Sequence, residues 1–305
     1  MPRLISGVPV MGKPKPKPAT RGAAKPTPVT RSRPRATPAP MPTARLVEPV
    51  QSLPPAMANP NPAHIKRDLQ RAADIAEELL ARECELDAYT WMTKGTRTKD
   101  EQADPDEDPY RAYPHDWPHI KATVLFINRF AFKLAGIWKS RTMLESWIVA
   151  GWCTHYAFTH PATRVLYQSK DEDRSVNMME YSKILWSNSL ERLKLRWTLA
   201  KPIEQQSYNR FETGNDSVFA ALPRDSTKIK SFHPTIVVWD EAAIMDNFDE
   251  CLSEAVGAQA KFKIALSSSW LGHMNDLWEA SEQVDWPEDM AEEMRLWATG
   301  AGVSL

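Results

Sequence analysis

Along residues 65–92 the apolar positions recur at helical intervals. Leu69, Ala72, Ile75, Leu79 and Leu80 share one stripe, with charged residues on the other faces, which predicts a helix opening just after Pro62. The following TKGTRTKDEQADPDEDPYRAYPHDWP is polar, acidic and broken by proline, and reads as a surface loop. HIKATVLFINRFAFKLAGIW predicts a helix and then a strand ending near Trp138, and LESWIVAGWCTHYAF has the spacing of an amphipathic helix. TRVLYQS reads as a short strand. DEDRSVNMMEYSKILWSNSLERL reads as a helix with acids in its first turn, where they complement the helix dipole. SVFAALP is extended. Residues 236–239, Ile-Val-Val-Trp, run apolar without alternation, the mark of a strand buried on both faces. A helix near residues 248–256, the strand KFKIALSSSW, a helix from about His273, and a polar helix and tail in EDMAEEMRLWATGAGVSL complete the pattern. Strands alternating with helices at this spacing predict an α/β fold, its mostly parallel sheet flanked by crossover helices.

The chain has 305 residues, 42% hydrophobic and 25% charged, enough for one large domain or two modest ones. Its net charge of −1 hides an asymmetry. Residues 1–50 hold ten Lys and Arg against Glu48 alone, a charge of +9, so the remainder sums to about −10. This segment is also dense in Pro, Ala and Thr and poor in large apolar residues, so it cannot bury enough surface to fold. Residues 1–62 are therefore expected to be a disordered basic arm, either a nucleic-acid contact or a plain linker. A transit peptide would need an amphipathic helix, which the prolines forbid. Cys84, Cys153 and Cys251 are widely spaced, which argues against a disulfide framework or a structural zinc site and for a reducing compartment. No apolar run reaches membrane-spanning length.

Candidate chemistry begins with TIVVWDEAA, where the buried strand runs into Asp240 and Glu241. In open α/β sheets this strand edge is where ligands bind; the plain alternative is a solvated turn. About a hundred residues upstream, GIWKSRTMLESW spans residues 136–147 between a strand and a helix. It does not match G-x-x-x-x-G-K-[ST]: Glu145 precedes Ser146 and a second glycine is missing. It reads as a helix start after basic residues, or as a phosphate loop of another form. In the second case Lys139 supplies a point charge, helix N-terminal amides hold phosphates, Ser146 reaches Mg²⁺, and Arg141 adds a forked donor. Gln168 reads as a strand-end cap. Trp117 and Tyr113 read as stacking partners for adenine or as core edges.

KSRTMLESW, VLYQSKDEDRSV, GNDSVFAALP, KSFHPTIVVWDEAAIMD and IALSSSWLG, in this order, resemble the ATPase part of the large terminase subunit of tailed bacteriophages, over roughly residues 110–280. The resemblance implies a P-loop NTPase of the additional-strand, RecA/terminase-like kind that uses ATP and Mg²⁺. Carried over by position, Lys139 meets the β- and γ-phosphates within a loop of Ser140, Arg141, Thr142 and Met143. Ser146 and Asp240 hold Mg²⁺, Glu241 polarises the attacking water, and Arg141 stabilises the transition state in cis. Phosphoryl transfer needs such a metal anchor and water-positioning group. Ser268, within the strand end Ser267, Ser268 and Ser269, would sense the γ-phosphate, or the three serines form a polar turn. The chain departs from the family at Leu144, where the loop usually has Gly, and at Glu145, where some members have the lysine.

The organisation expected is a disordered arm (1–62), a helical segment with an acidic linker (63–109), the ATPase domain (110–285) and a polar C-terminal helix and tail (286–305), with no nuclease domain. The function implied is a motor subunit that hydrolyses ATP to move double-stranded viral DNA into the procapsid. Its implied partners are a portal protein and a small terminase subunit, its form a homo-oligomeric ring, and its location the host cytoplasm, with no membrane contact. The alternatives are a degenerate nucleotide-binding scaffold of the packaging complex and a helicase-like DNA-dependent ATPase.

Overall fold

The structure is a computed structural model that describes residues 4–6, 62–100, 102–139, 144–223, 225–268, 279 and 286–303. The chain divides into two units, Val10–Arg71 and a larger one of Met1–Pro9 with Ala72–Leu305. Of the first unit only the opening turns of helix α1 (Pro62–Leu86) are described, and residues 63–71 are exposed.

The larger unit is built on a seven-stranded sheet. Its strands are β1 (Leu4–Ser6), β4 (Ala135–Trp138), β5 (Arg164–Ser169), β6 (Arg210–Glu212), β7 (Val218–Ala221), β8 (Ile236–Asp240) and β9 (Phe262–Ser267), in the spatial order β1-β4-β9-β8-β5-β7-β6. The five inner strands are parallel, and β1 and β6 pair antiparallel at the edges. The order β4-β9-β8 places an additional strand between the one that ends at Trp138 and the one that ends at Asp240. The α/β architecture expected from the sequence is the one observed. Within residues 1–62, Leu4–Ser6 forms an edge strand paired with Ala135–Ile137.

The unbroken apolar strands follow from two cores. On β8, Ile236 and Val238 face one hydrophobic cluster while Val237 and Trp239 face the other, all of them fully buried. On β5, Val165 and Tyr167 alternate with Leu166 in the same way. Period-two side chains with helices on both faces leave no position for a polar residue. Each such buried aliphatic side chain contributes about 1.5–3 kcal/mol.

Helices α3 (Pro118–Phe130), α4 (Glu145–Thr159) and α5 (Glu172–Ser187) build the first layer, joined by α2 (Ala88–Thr90) and the short α6 (Glu191–Arg196). Helices α7 (Ser226–Phe232) and α8 (Phe248–Gly257) pack together on the second cluster. A last helix, α9 (Glu288–Ala301), packs Met290 and Met294 against Ala122 and Leu125 of α3. The helix expected from His273 lies outside the described residues. Among the described residues no helix is long and apolar enough to cross a membrane, and all three cysteines are free and buried.

Three local readings are corrected. Helix α4 is not amphipathic: Trp147, Trp152, Cys153 and His155 are buried on all sides of it, because it sits between α3, α5 and the sheet. On α1 Leu69, Ile75 and Leu79 of the stripe are exposed, while Leu80 packs against the core and Ala81 and Cys84 are buried in it. Residues 93–118 are not wholly surface. Trp91–Gly95 forms a π turn, Thr98–Lys99 (β2) pairs with Tyr110–Arg111 (β3), and Tyr113 is buried. Gly95 is required there, since a Cβ would lie 2.8 Å from both Cys84 Sγ and Trp91 Cδ1.

Candidate functional site

The parallel register brings the strand ends into one line. Trp138 pairs with Ser267 and Ser169 with Asp240, so the C-terminal tips of β4, β9, β8 and β5 share an edge of the sheet. Lys139 leaves β4 at this edge, its backbone N–H held by the carbonyl of Ser267 at 2.8 Å. Its ammonium donates to Ser146 Oγ at 2.7 Å and pairs with Asp240 Oδ1. Lys139 and Asp240 are largely enclosed, their side chains 13% and 14% exposed. Asp240 is anchored further, because Oδ1 accepts the Glu241 N–H at 3.0 Å and its carbonyl accepts Ser169 Oγ at 2.9 Å.

A hydroxyl from the first turn of α4 and a carboxylate from the tip of β8 thus converge on one cationic group. That donor set suits a hard, oxygen-seeking divalent ion such as Mg²⁺, with phosphate oxygens and water completing the shell. Among the described residues no group of three or more His, Cys, Asp or Glu gathers to hold a metal on its own.

Glu241 adopts a left-handed backbone, φ 59°, which turns the chain sharply at the tip of β8. Its carboxylate Oε1 pairs with the Arg174 guanidinium, while Oε2 is buried without a hydrogen-bond partner among the described residues. Arg174 sits in the first turn of α5. Asp171 caps that helix by accepting the Arg174 N–H at 3.0 Å and lies 3.5 Å from Arg174 Nε.

Leu144 and Glu145 are the two departures from the family pattern, and both are structurally distinctive. Leu144 takes the left-handed conformation, φ 57°, which glycine adopts freely and a side chain resists. Glu145 is 2% exposed. Thr123 Oγ1 donates to its Oε2 at 3.2 Å, and Oε1 has no partner among the described residues. Burial pushes its carboxyl up to about 7, opposed by the Thr123 hydrogen bond and by Lys139. Glu145 does not supply the positive charge that a lysine at this position would.

These side chains open on a cleft of about 690 Å³. Lys139, Ser146, Arg174, Glu241 and Ser268 line it, together with Thr98, Lys99, Arg111 and Trp117. Ser268 therefore reaches the cleft from the tip of β9, whereas Ser267 is buried in the strand and Ser269 lies outside the described residues. Ser140, Arg141, Thr142 and Met143 also lie outside them. Gln168 ties strands together inside the sheet, accepting Trp239 Nε1–H at 3.0 Å and donating to the Pro223 carbonyl at 3.1 Å. Of the two aromatic candidates, Trp117 is 38% exposed at the cleft. Tyr113 is 1% exposed with its hydroxyl on the Trp147 carbonyl at 2.8 Å, so it is a core residue and has no free face for a base. Sequence spacing does not single out Arg174; its signal there is a basic residue in the acidic first turn of a helix that follows a strand.

No family model matches the sequence, and no curated protein matches it. Among solved structures, the chain is similar to the HK97 bacteriophage large terminase at 11% identity and a TM-score of 0.43, covering 60% of this chain and 37% of that one. It is also similar to the Thermus phage P74-26 large terminase ATPase domain at 13% identity and a TM-score of 0.35, covering 62% of this chain and 87% of that domain. A point mutant of the same domain matches at 16% identity and a TM-score of 0.37, covering 62% and 88%. The match thus spans little more than a third of the HK97 protein's length.

Proposed function

We propose that this chain hydrolyses ATP as the motor subunit of a phage terminase, driving double-stranded DNA into a procapsid alongside a portal protein and a small terminase subunit. The observation that carries the ATPase reading is the meeting of Lys139, Ser146 and Asp240 at the tips of β4 and β8, with Glu241 next in sequence. The packaging role rests on the ordered motif resemblance in the sequence.

In this reading Lys139 exchanges Asp240 for the β- and γ-phosphates of the nucleotide, and Ser146 and Asp240 become available to Mg²⁺. Bound there, Mg²⁺ supplies charge neutralisation on the phosphate oxygens. Glu241 orients the attacking water and takes its proton as the water oxygen bonds to the γ-phosphorus. The bond from that phosphorus to the bridging oxygen breaks, ADP departs, and the proton passes on to phosphate or solvent. Ser268, at the tip of the strand between Lys139 and Asp240, is suited to sense the γ-phosphate. Arg141 is the proposed in-cis charge on the transition state.

The test is Mg·ATP hydrolysis with and without duplex DNA, for the wild type beside Glu241→Gln. Wild-type turnover that falls at least a hundred-fold in the variant, with nucleotide binding retained, is the expected result. A second reading, a nucleotide-binding scaffold that does not turn over ATP, is favoured by Glu145 in place of a lysine and by the strained Leu144. It predicts equal, near-zero rates for the two proteins.

A further inference from the structure

We infer that Arg174 is the positioning residue for Glu241, holding that carboxylate in the orientation that water activation requires. The inference rests on the ATP-hydrolysis reading above. Glu241 follows a sharp left-handed turn, so the backbone directs the side chain over the cleft but leaves its own torsions open. Arg174 closes that freedom by engaging Oε1. The other oxygen, Oε2, stays buried and unpartnered among the described residues, and Glu241 and Arg174 line the same cleft. One oxygen anchored and one left to accept a water hydrogen is the arrangement a water-orienting carboxylate needs.

Arg174 is itself constrained from behind. Asp171 Oδ2 lies 3.5 Å from its Nε, and Asp171 is locked in place as the cap of α5. The line Asp171–Arg174–Glu241 therefore runs from a helix N-terminus to the tip of β8. The planar guanidinium suits this bridging role, because its fork presents several donors in fixed directions. The Arg174 side chain is 49% exposed and that of Glu241 19%, so the pair adds only modestly to folding. In the reaction Arg174 exchanges no proton; Glu241 alone takes the proton of the attacking water.

The test is steady-state Mg·ATP hydrolysis by the full chain carrying Arg174→Ala, Arg174→Lys or Asp171→Asn, with nucleotide affinity measured separately. Loss of positioning lowers kcat about ten-fold or more in Arg174→Ala while KM stays within about two-fold. The lysine variant recovers part of the loss. Asp171→Asn, which keeps the helix cap, loses less than the alanine variant and serves if Arg174→Ala does not fold. The inference is overturned if the wild type turns over ATP and Arg174→Ala leaves kcat within two-fold or raises it. It is overturned equally if the change is confined to KM and affinity, which would make Arg174 a phosphate ligand. A wild type without turnover removes the ATPase reading itself, and this inference with it.

Discussion

Lys139 and Asp240 stand 101 residues apart in sequence, yet the ammonium of one rests against the carboxylate of the other. The pair joins the start of the loop after β4 to the tip of β8, with β9 running between the two strands. In the proposed reading, a nucleotide and a divalent ion would separate these charges and reuse them.

Lys139→Ala should therefore weaken Mg·ATP binding by about ten- to a hundred-fold, the value of one or two charge-assisted hydrogen bonds. Glu145→Ala should weaken it less, because Glu145 is turned into a buried contact with Thr123. Calorimetric titration of both variants checks the ranking, and the opposite order would move the phosphate-binding role away from Lys139.

The core carries its own pH dependence. His155 is buried between Trp91 and Trp197, its Nε2 2.8 Å from the Cys84 carbonyl. Burial lowers its pKa from 6.5 to about 4. The folded state thus resists a proton that the unfolded chain accepts. The stabilisation is complete above pH 6.5 and is lost as the pH falls toward 4. Between pH 7 and pH 5 this group alone should cost the wild type about 2 kcal/mol. Urea unfolding at both pH values, beside His155→Gln, tests the sign: the variant should lose less stability on acidification.

The basic N-terminal segment gives a prediction about salt. Cations interspersed with prolines cannot form a helix that reads base edges, so a DNA contact there would be to phosphates and blind to sequence. Since Leu4–Ser6 pairs with β4, charge removal is the cleaner test than truncation. Replacing the nine Lys and Arg between Lys13 and Arg45 with Gln should flatten the dependence of duplex affinity on salt. Each lost phosphate contact reduces the log–log slope by about 0.9. ATP hydrolysis without DNA should be nearly unchanged. Parallel slopes for the two proteins would assign the segment to another partner.

The sheet and the carboxylates at its edge were legible because their physics is local in sequence. The run ending at Trp239 announces a strand with helices on both faces, and the carboxylates after it mark the tip. Lys139 was legible as the cation leaving the strand before α4. Arg174 was not, because its role depends on α5 starting beside the tip of β8, a proximity set by strand order and not by spacing. The same limit explains Tyr113, whose proline-rich neighbourhood gives no sign that its hydroxyl ends on the Trp147 carbonyl. The stripe on α1 misled in the other direction, since helical periodicity shows that a face exists but not what it packs on. Leu4–Ser6 is three residues long, too short for any alternation to register.

The two ends of the sheet bear on how copies of this chain can associate. Both edge strands, Leu4–Ser6 and Arg210–Glu212, are three residues long, and on the second Arg210 Nε lies 2.5 Å from Glu212 Oε1. Edges this short, the second of them charged, offer a poor template for backbone pairing with another molecule, a common protection against aggregation. In the proposed motor, contacts between copies are then expected to run through side-chain surfaces on helices and loops. Those surfaces can slide and re-form as a subunit changes state, whereas a sheet continued from one subunit into the next would lock its neighbours in register.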